Sequence, residues 1–167
     1  MTVYWLDADA CIQAKNKDTG AFPFGRMQKF WDFLSLQIDR GIVKCPKMVY
    51  DEVTDRGWED ELAEFFRERE ARGLCEYATD EVWKWVHQIS NLVVQKFGDR
   101  KARDFLEGAD LWVLAHAKAM GAEGVVVSHE GLREQHHKIK IPVVCAEFQI
   151  EKITIFQMLN RMNATFL

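Results

Sequence analysis

The sequence predicts an α/β protein, a three-layer α/β/α sandwich around a central parallel sheet of four to five strands. Short apolar segments rich in β-branched residues alternate with longer segments whose apolar residues recur at helical spacing. Two of these segments, Thr2–Leu6 and Gly124–Ser128, lack the apolar and polar alternation of half-exposed strands, which is typical of strands covered by helices on both faces. Strands that alternate with helices favour a parallel sheet.

Length and composition favour one domain over residues 1–167. A chain of this length buries a core without disulfides or metals, and 48% hydrophobic with 29% charged residues is typical of a globular protein. Asp7 and Asp9 interrupt the first apolar run, so we expect no signal peptide, and no run approaches the ~18 apolar residues of a membrane span. The four cysteines lie in apolar contexts without C-x-x-C spacing, which favours reduced thiols and a cytoplasmic location.

The first half of the chain contains two predicted strands. Thr2–Leu6 is apolar and rich in β-formers, and Gly41–Cys45 is closed by Pro46. Between them, Arg26–Asp39 has apolar residues at helical spacing. Proline suits the first turn of a helix, so further helices are expected after Pro46. These helices are Met48–Asp55 and Trp58–Arg72.

The second half continues the alternation. A helix capped by Thr79 or Asp80 should end at Gly98. Its predicted successors are a continuous helix over Lys101–Met120, a buried strand over Gly124–Ser128, a short strand over Lys138–Ile141 before Pro142, and a helix from about Thr154.

Carboxylates follow two of the predicted strands. The first strand runs into Asp7, and the third runs into Ser128, His129 and Glu130. Since ligand sites of parallel sheets form beyond the carboxyl ends of the strands, these acids should meet at one edge.

Two further acids lie on predicted helices. Glu52 follows the second strand, and Asp110 lies among small and apolar residues. A carboxylate in such a setting needs compensation, because burial of an unpaired charge is costly. Glu107 lies three residues before Asp110 and would share a helical face with it. Mg²⁺ or Mn²⁺ would supply that compensation, since these ions prefer oxygen ligands, and a bound ion would activate water against a phosphodiester.

The order of these acids resembles that of PIN-domain ribonucleases. The resemblance rests on Tyr4–Ile12, Glu52, Ala109–Ala117 and Val125–Glu130, and Lys138–Pro142 fits the last strand of that family. Small single-domain prokaryotic members, many of them similar to toxins of toxin–antitoxin pairs, are the most similar subgroup.

The resemblance implies an endoribonuclease that depends on Mg²⁺ or Mn²⁺. Its metal would be held by Asp7, Glu52 and Asp110, with Glu130 as the fourth acid. A cognate antitoxin, an RNA substrate and a homodimer are the implied partners. The sequence departs from the family at two places: Asp9 stands where asparagine is frequent, and Glu130 stands where aspartate is common.

Simpler interpretations compete with the metal site. Asp7 and Asp9 would both suit helix caps. The alternative for Asp9 is a place beside the metal ligands. Glu52 and Glu107 would suit a solvated surface. Asp110 would suit an ion pair with Arg103 or Lys118.

Two other functions remain open. One is a non-catalytic PIN-like module that binds RNA or protein. The other is a haloacid-dehalogenase-type phosphatase with Asp7 as its nucleophile, although Cys11 replaces the expected threonine or valine and no paired acids follow a late strand.

The net charge of −4 means that RNA binding would depend on local basic residues or bound cations rather than on the overall field. His129 is a candidate for phosphate contact, and Phe22-Pro23-Phe24 is a candidate exposed aromatic patch. The candidate basic residues, otherwise solvated surface charges, are Lys101, Arg103, Arg133 and Lys138.

Overall fold

The computed structural model describes residues 1–15, 21–24, 27–55, 60–131 and 138–166. The strands in these ranges are Val3–Leu6 (β1), Val43–Pro46 (β2), Cys75–Glu76 (β3), Gly124–Val127 (β4) and Glu151–Ile153 (β5). The helices are Ala8–Lys15 (α1), Gln28–Asp39 (α2), Lys47–Thr54 (α3), Glu61–Arg69 (α4), Asp80–Phe97 (α5), Asp99–Glu107 (α6), Asp110–Ala119 (α7), Ile141–Phe148 (α8) and Ile155–Arg161 (α9).

The five strands form one parallel sheet in the order β3-β2-β1-β4-β5. The chain moves outward from β1 to β3 and then returns to the other side of β1 at β4. Because parallel crossovers are right-handed, the segments before and after β3 cover opposite faces of the sheet. Accordingly α2 packs on β2, whereas α7 packs on β1 and β4 and is itself covered by α5 and α8. The predicted three-layer α/β/α class is confirmed.

The two central strands, β1 and β4, pair from Val3 with Gly124 to Leu6 with Val127. Every residue of both strands is buried. This is the burial expected for strands with helices on both faces, and it explains why the sequence of each segment is an uninterrupted apolar run.

The helix ends follow capping chemistry. The Thr79 hydroxyl accepts a hydrogen bond from the Val82 N–H at the start of α5, and Thr154 forms a capping box with Gln157 at the start of α9. Both predicted helix starts are therefore confirmed. The predicted starts at Arg26 and Trp58 lie outside the described residues. None of the helices within the described ranges has the length and apolarity of a membrane span.

The prediction of a continuous helix over Lys101–Met120 is wrong. The chain breaks into α6 and α7 because Gly108 adopts an extended conformation with φ of −89° and ψ of 173°. Its N–H still bonds the Phe105 carbonyl and so closes α6. As a result Asp110 is the first residue of α7, and Glu107 does not share a helical face with it.

The predicted strand over Lys138–Ile141 is also wrong. Ile141 begins α8, and Pro142 occupies the first turn of that helix, where a missing N–H costs no hydrogen bond. The outer strand on this side is β5, which was not predicted, and neither was β3 on the opposite edge.

The aromatic segment Phe22-Pro23-Phe24 is packed rather than exposed. Phe22 is buried and its ring stacks on Phe30, while the Phe24 ring stacks on Trp31, each with centroids 4.0 Å apart. The prediction of an exposed aromatic patch here is therefore wrong.

Gly124 controls the approach of α7 to the sheet. A Cβ atom at this position would lie 2.0 Å from the carbonyl oxygen of Ala117 and 2.9 Å from its Cα. The close contact is with backbone, which has no rotamer to adjust. Only glycine lets α7 pack this closely on the first residue of β4.

We expect Gly124→Ala to destabilise the protein by at least about 3 kcal/mol, because α7 must move away from β4 to admit the methyl group. Chemical denaturation of both proteins measures the change. Gly131→Ala is the matched control, since a Cβ atom there meets no atom of the described residues within 4 Å. Equal stability of the two variants would contradict this assignment of Gly124.

Candidate active site

Asp7 follows the central strand directly. Its N–H continues the sheet by donating to the Val127 carbonyl oxygen at 3.0 Å, so the backbone of Asp7 is fixed beside the end of β4. Its side chain is only 3% exposed. The buried Ser128 hydroxyl donates to Asp7 Oδ2 at 3.0 Å and thereby sets the orientation of the carboxylate.

Asp110 reaches the same place from α7. As the first residue of that helix it lies near the positive end of the helix dipole, which favours a carboxylate. The predicted pairing of Asp110 with Lys118 is wrong, since Lys118 donates instead to the Phe148 carbonyl at 2.7 Å. The cation whose charge acts most on Asp110 is Lys138.

One polar pocket of about 600 Å³ brings the predicted acids together at the carboxyl edge of the sheet. It lies beyond β1 and β4, where the strand order reverses and where ligands of open parallel sheets bind. Its lining residues are Asp7, Asp9, Ile12, Gln13, Glu52, Asp110, His129, Glu130, Gly131, Lys138 and Lys140.

The pocket excludes some of the predicted residues. Glu107, Lys101 and Arg103 lie on α6 and are not part of its lining. Arg133 lies outside the described residues. Ser128 lies directly behind the pocket through its bond to Asp7.

Gln13 is a lining residue that the sequence interpretation missed. Gln13 lies one helical turn after Asp9 on α1 and therefore on the same face of the helix. That spacing was a usable signal. Lys140 also lines the pocket, two residues after the predicted RNA-binding residue Lys138.

The carboxylates of Asp7 and Asp110 are strongly perturbed. Burial, together with the nearby charge of Asp110, raises the pKa of Asp7 from 3.8 to about 7, even though the Ser128 hydrogen bond lowers it. Burial and the charges of Glu130, Glu52 and Asp9 raise the pKa of Asp110 to about 6. Both groups therefore lie in a site that disfavours their charged forms unless a cation is supplied.

Glu130 has a different environment. Its Oε1 accepts from Lys138 Nζ at 2.8 Å and its Oε2 accepts from the Ile141 N–H at 2.9 Å. Burial opposes ionisation, but these hydrogen bonds and the charge of Lys138 prevail and lower the pKa of Glu130. The Glu130 N–H also donates to the Ser128 hydroxyl at 3.1 Å, which links Glu130 to Asp7 through one serine.

The donor chemistry fits a hard divalent cation. The side chains of Asp7, Glu52, Asp110 and Glu130 offer only oxygen ligands, as Mg²⁺ and Mn²⁺ prefer. The raised pKa values of Asp7 and Asp110 reflect burial first and neighbouring negative charge second. Within the described ranges, no three His, Cys, Asp or Glu side chains already converge closely enough to form a metal cluster. Glu52 is exposed, and Glu130 is held by its hydrogen bonds to Lys138 and to the Ile141 N–H.

The chain shares its fold with chains of two VapBC crystal structures. One is a chain in the crystal structure of VapBC2 from Rickettsia felis bound to a DNA fragment from its promoter: TM-score 0.55, 14% identity, with 92% of this chain and 98% of that chain covered. Another is a chain of DNA-bound VapBC from Salmonella typhimurium: TM-score 0.55, 17% identity and the same coverage. No curated protein has a sequence that matches this chain.

The sequence matches a family over residues 4–166, from the strand that precedes Asp7 to the end of the described chain. The family carries the description "Domain of unknown function (DUF4411)". The match includes every acid of the pocket. The chain therefore belongs to this family, and its fold is the PIN-like fold that its acidic motifs predicted.

Proposed function

We propose that this protein is a metal-dependent endoribonuclease that hydrolyses RNA phosphodiester bonds with Mg²⁺ or Mn²⁺. The observation that carries the proposal is the single pocket in which acids from four separate segments meet at the reversal point of the sheet. A pocket lined by carboxylates and lysines, with few apolar groups, suits a cation and a phosphate better than an apolar ligand.

In this proposal Asp7, Glu52 and Asp110 hold the cation. Glu130 is the fourth acid and acts directly or through water, since each of its oxygens keeps a lone pair beyond its present hydrogen bond. The bound cation would polarise the phosphoryl oxygen, lower the pKa of the attacking water and stabilise the leaving oxygen. Asp9 acts beside these ligands by adding negative charge to the pocket.

Ser128 has a positioning role. Its hydroxyl donates to Asp7 and accepts from the Glu130 N–H, so one buried group fixes two of the four acids. Since metal ligands are held in place by such outer hydrogen bonds, Ser128 would preserve the geometry of Asp7 during metal exchange.

The basic residues of the pocket would hold the RNA backbone. Lys138 and Lys140 line the pocket, and His129 is exposed at its rim. A chain with a net charge of −4 needs such local cations to approach a polyanion. Lys101 and Arg103 on α6 would extend this contact to longer RNA, and Arg133 remains a proposed contributor.

The fold shared with the two VapBC structures supports a toxin role in a toxin–antitoxin pair. The proposed partners are a cognate antitoxin and a second copy of the chain. A cytoplasmic location agrees with four cysteines that all remain free.

We expect the purified protein to cleave single-stranded or structured RNA in Mn²⁺ or Mg²⁺ and to lose this activity in EDTA. Asp7→Asn and Asp110→Asn should each lower the rate by about 100-fold or more, because each removes a proposed cation ligand. Gel analysis of a mixed RNA pool measures the cleavage.

Asp104→Asn is the matched control, since this exposed carboxylate lies on α6 away from the pocket. Cleavage that persists unchanged in both site variants would indicate a contaminating nuclease. RNA binding without cleavage would favour the non-catalytic module, and a phosphorylated Asp7 trapped from a phosphomonoester would favour the phosphatase.

The pKa of Asp7 also predicts a conflict between stability and function. The folded protein binds the Asp7 proton more tightly than the unfolded chain does, so the metal-free protein should lose stability as pH rises from 3.8 to about 7. In EDTA at pH ~8, Asp7→Asn should therefore be more stable than the wild type by about 2 kcal/mol. The difference should shrink near pH ~5.

Denaturation in EDTA at the two pH values measures this difference, with Asp104→Asn as the control. Mn²⁺ should then stabilise the wild type more than Asp7→Asn. A variant that is less stable than the wild type at the higher pH would show that another group already neutralises Asp7.

Lys138→Ala should weaken RNA binding about tenfold and uniformly across sequences, and it should lower the salt dependence of the affinity by about one phosphate contact. Anisotropy titrations at several salt concentrations measure both effects. Lys29→Ala, an exposed lysine on α2 outside the pocket lining, is the control. An unchanged salt dependence would mean that Lys138 serves only to hold Glu130.

A further inference from the structure

A second pocket, of about 240 Å³, lies at the same edge of the sheet as the acidic pocket but beyond β2 and β3. It is predominantly apolar. We refer to it as the aromatic pocket, and its lining residues are Pro46, Lys47, Met48, Glu76, Tyr77, Ala78, Trp83, Trp112 and His116.

Three large hydrophobic side chains that line the aromatic pocket are exposed to solvent. Tyr77 is 69% exposed, Trp83 is 47% exposed and Met48 is 38% exposed. These are three of the six large hydrophobic residues that stand exposed in the described part of the chain. Their concentration at one pocket marks a binding surface rather than scattered surface residues.

The exposure of Trp83 is not required by the core. The buried stripe of α5 consists of Val82, Val86, Ile89 and Val93, which is complete without the tryptophan. The Trp83 ring instead meets Trp112 edge to face, with centroids 4.8 Å apart and planes at 88°. This arrangement leaves aromatic surface available to a flat ligand.

His116 adds a polar group to the aromatic pocket. It is 2% exposed and contacts the Trp5 ring with centroids 4.6 Å apart. Across the described ranges its ring has no hydrogen-bond partner. Burial lowers the pKa of His116 to about 4, so the ring is neutral at physiological pH and offers one donor and one acceptor.

The two charged residues of the aromatic pocket are already paired with neighbours. Lys47 bonds Asp51, and Glu76 bonds Lys44. The aromatic pocket therefore presents aromatic faces and a neutral hydrogen-bonding ring rather than net charge. This chemistry suits a neutral flat group better than a phosphate.

Two helices connect the aromatic pocket with the acidic one. On α3, Met48 lines the aromatic pocket and Glu52, one helical turn later on the same face, lines the acidic pocket. On α7, Asp110 lines the acidic pocket, and Trp112 lines the aromatic one. Since α3 and α7 also contact each other, the pockets are neighbouring subsites of one surface.

We propose that the aromatic pocket binds an unstacked nucleobase of single-stranded RNA whose phosphate occupies the acidic pocket. The inference rests on the proposed ribonuclease function and adds a subsite that selects single-stranded substrate. A nucleobase stacks on Tyr77 and Trp83 and satisfies His116 with its polar edge. An apolar side chain of a protein partner would leave the His116 ring unsatisfied, which is costly in a buried position.

The test measures RNA affinity in the Asp7→Asn protein, which should bind without cutting. Anisotropy is recorded with a labelled single-stranded RNA and with the same strand carrying an abasic nucleotide at each position in turn. Trp83→Ala and Tyr77→Ala in this background should each weaken binding of the intact strand about tenfold. At one position, removal of the base should weaken binding to the Asp7→Asn protein as much as Trp83→Ala weakens binding of the intact strand. Adding Trp83→Ala should then weaken binding of that abasic strand little further.

Two further variants make the result specific. Trp83→Phe keeps an aromatic face and should retain most of the affinity. Phe156→Ala removes another exposed aromatic residue, 54% exposed on α9 and absent from both pockets, and should leave RNA binding unchanged.

The possible failures are distinguishable. If the wild type cuts RNA in a metal-dependent manner while Trp83→Ala and Tyr77→Ala bind RNA normally, the base subsite is overturned and the ribonuclease proposal stands. The aromatic pocket would then be assigned to a side chain of a protein partner. If the protein neither binds nor cuts RNA, the proposed function fails, and the base subsite fails with it.

Discussion

The pairing of β1 with β4 is the constraint on which the site depends. It joins two segments that lie more than a hundred residues apart and creates the reversal point of the strand order. The same pairing fixes Asp7 beside the end of β4, where Ser128 reaches its carboxylate. It also places Gly124 under α7. Because Gly124 has no side chain, α7 packs close to the sheet, and its first residue, Asp110, lines the pocket. The pairing of β1 with β4 and the packing of α7 therefore place Asp7 and Asp110 at the same pocket.

This arrangement opposes folding. Two carboxylates are held where burial and mutual repulsion raise their pKa values, a cost that a purely structural core would avoid. Glu130 shows the alternative, because Lys138 and a backbone N–H satisfy it locally. Asp7 and Asp110 keep raised pKa values beside a Glu130 whose pKa is lowered, an arrangement that a bound cation would balance. In the proposed ribonuclease, Lys138 would leave Glu130 to bind an RNA phosphate. Glu130 would thereby become available when the substrate binds.

The sequence predicted the parts of the molecule that local patterns determine. Buried central strands leave uninterrupted apolar runs, and Asp7 and Asp110 stood out because polar groups are rare in such contexts. The edge strands β3 and β5 have only two and three residues, too few for a pattern. Gly108 was misjudged because glycine is tolerated within helices, and alternation in Lys138–Ile141 imitated a strand. The Glu130–Lys138 contact depends on tertiary structure, so no sequence pattern reports it.

The aromatic pocket would compensate for the electrostatic repulsion between the acidic pocket and RNA. A chain with net charge −4 and an acidic site repels RNA, and a few lysines at the rim of the acidic pocket offset this only locally. Stacking of a base on aromatic rings supplies affinity that does not require a positive field. Because α3 and α7 carry residues of both pockets, a base held at Tyr77 and Trp83 would fix the position of the neighbouring phosphate relative to Glu52 and Asp110. In the proposed ribonuclease, binding and positioning of the RNA would then be a single event.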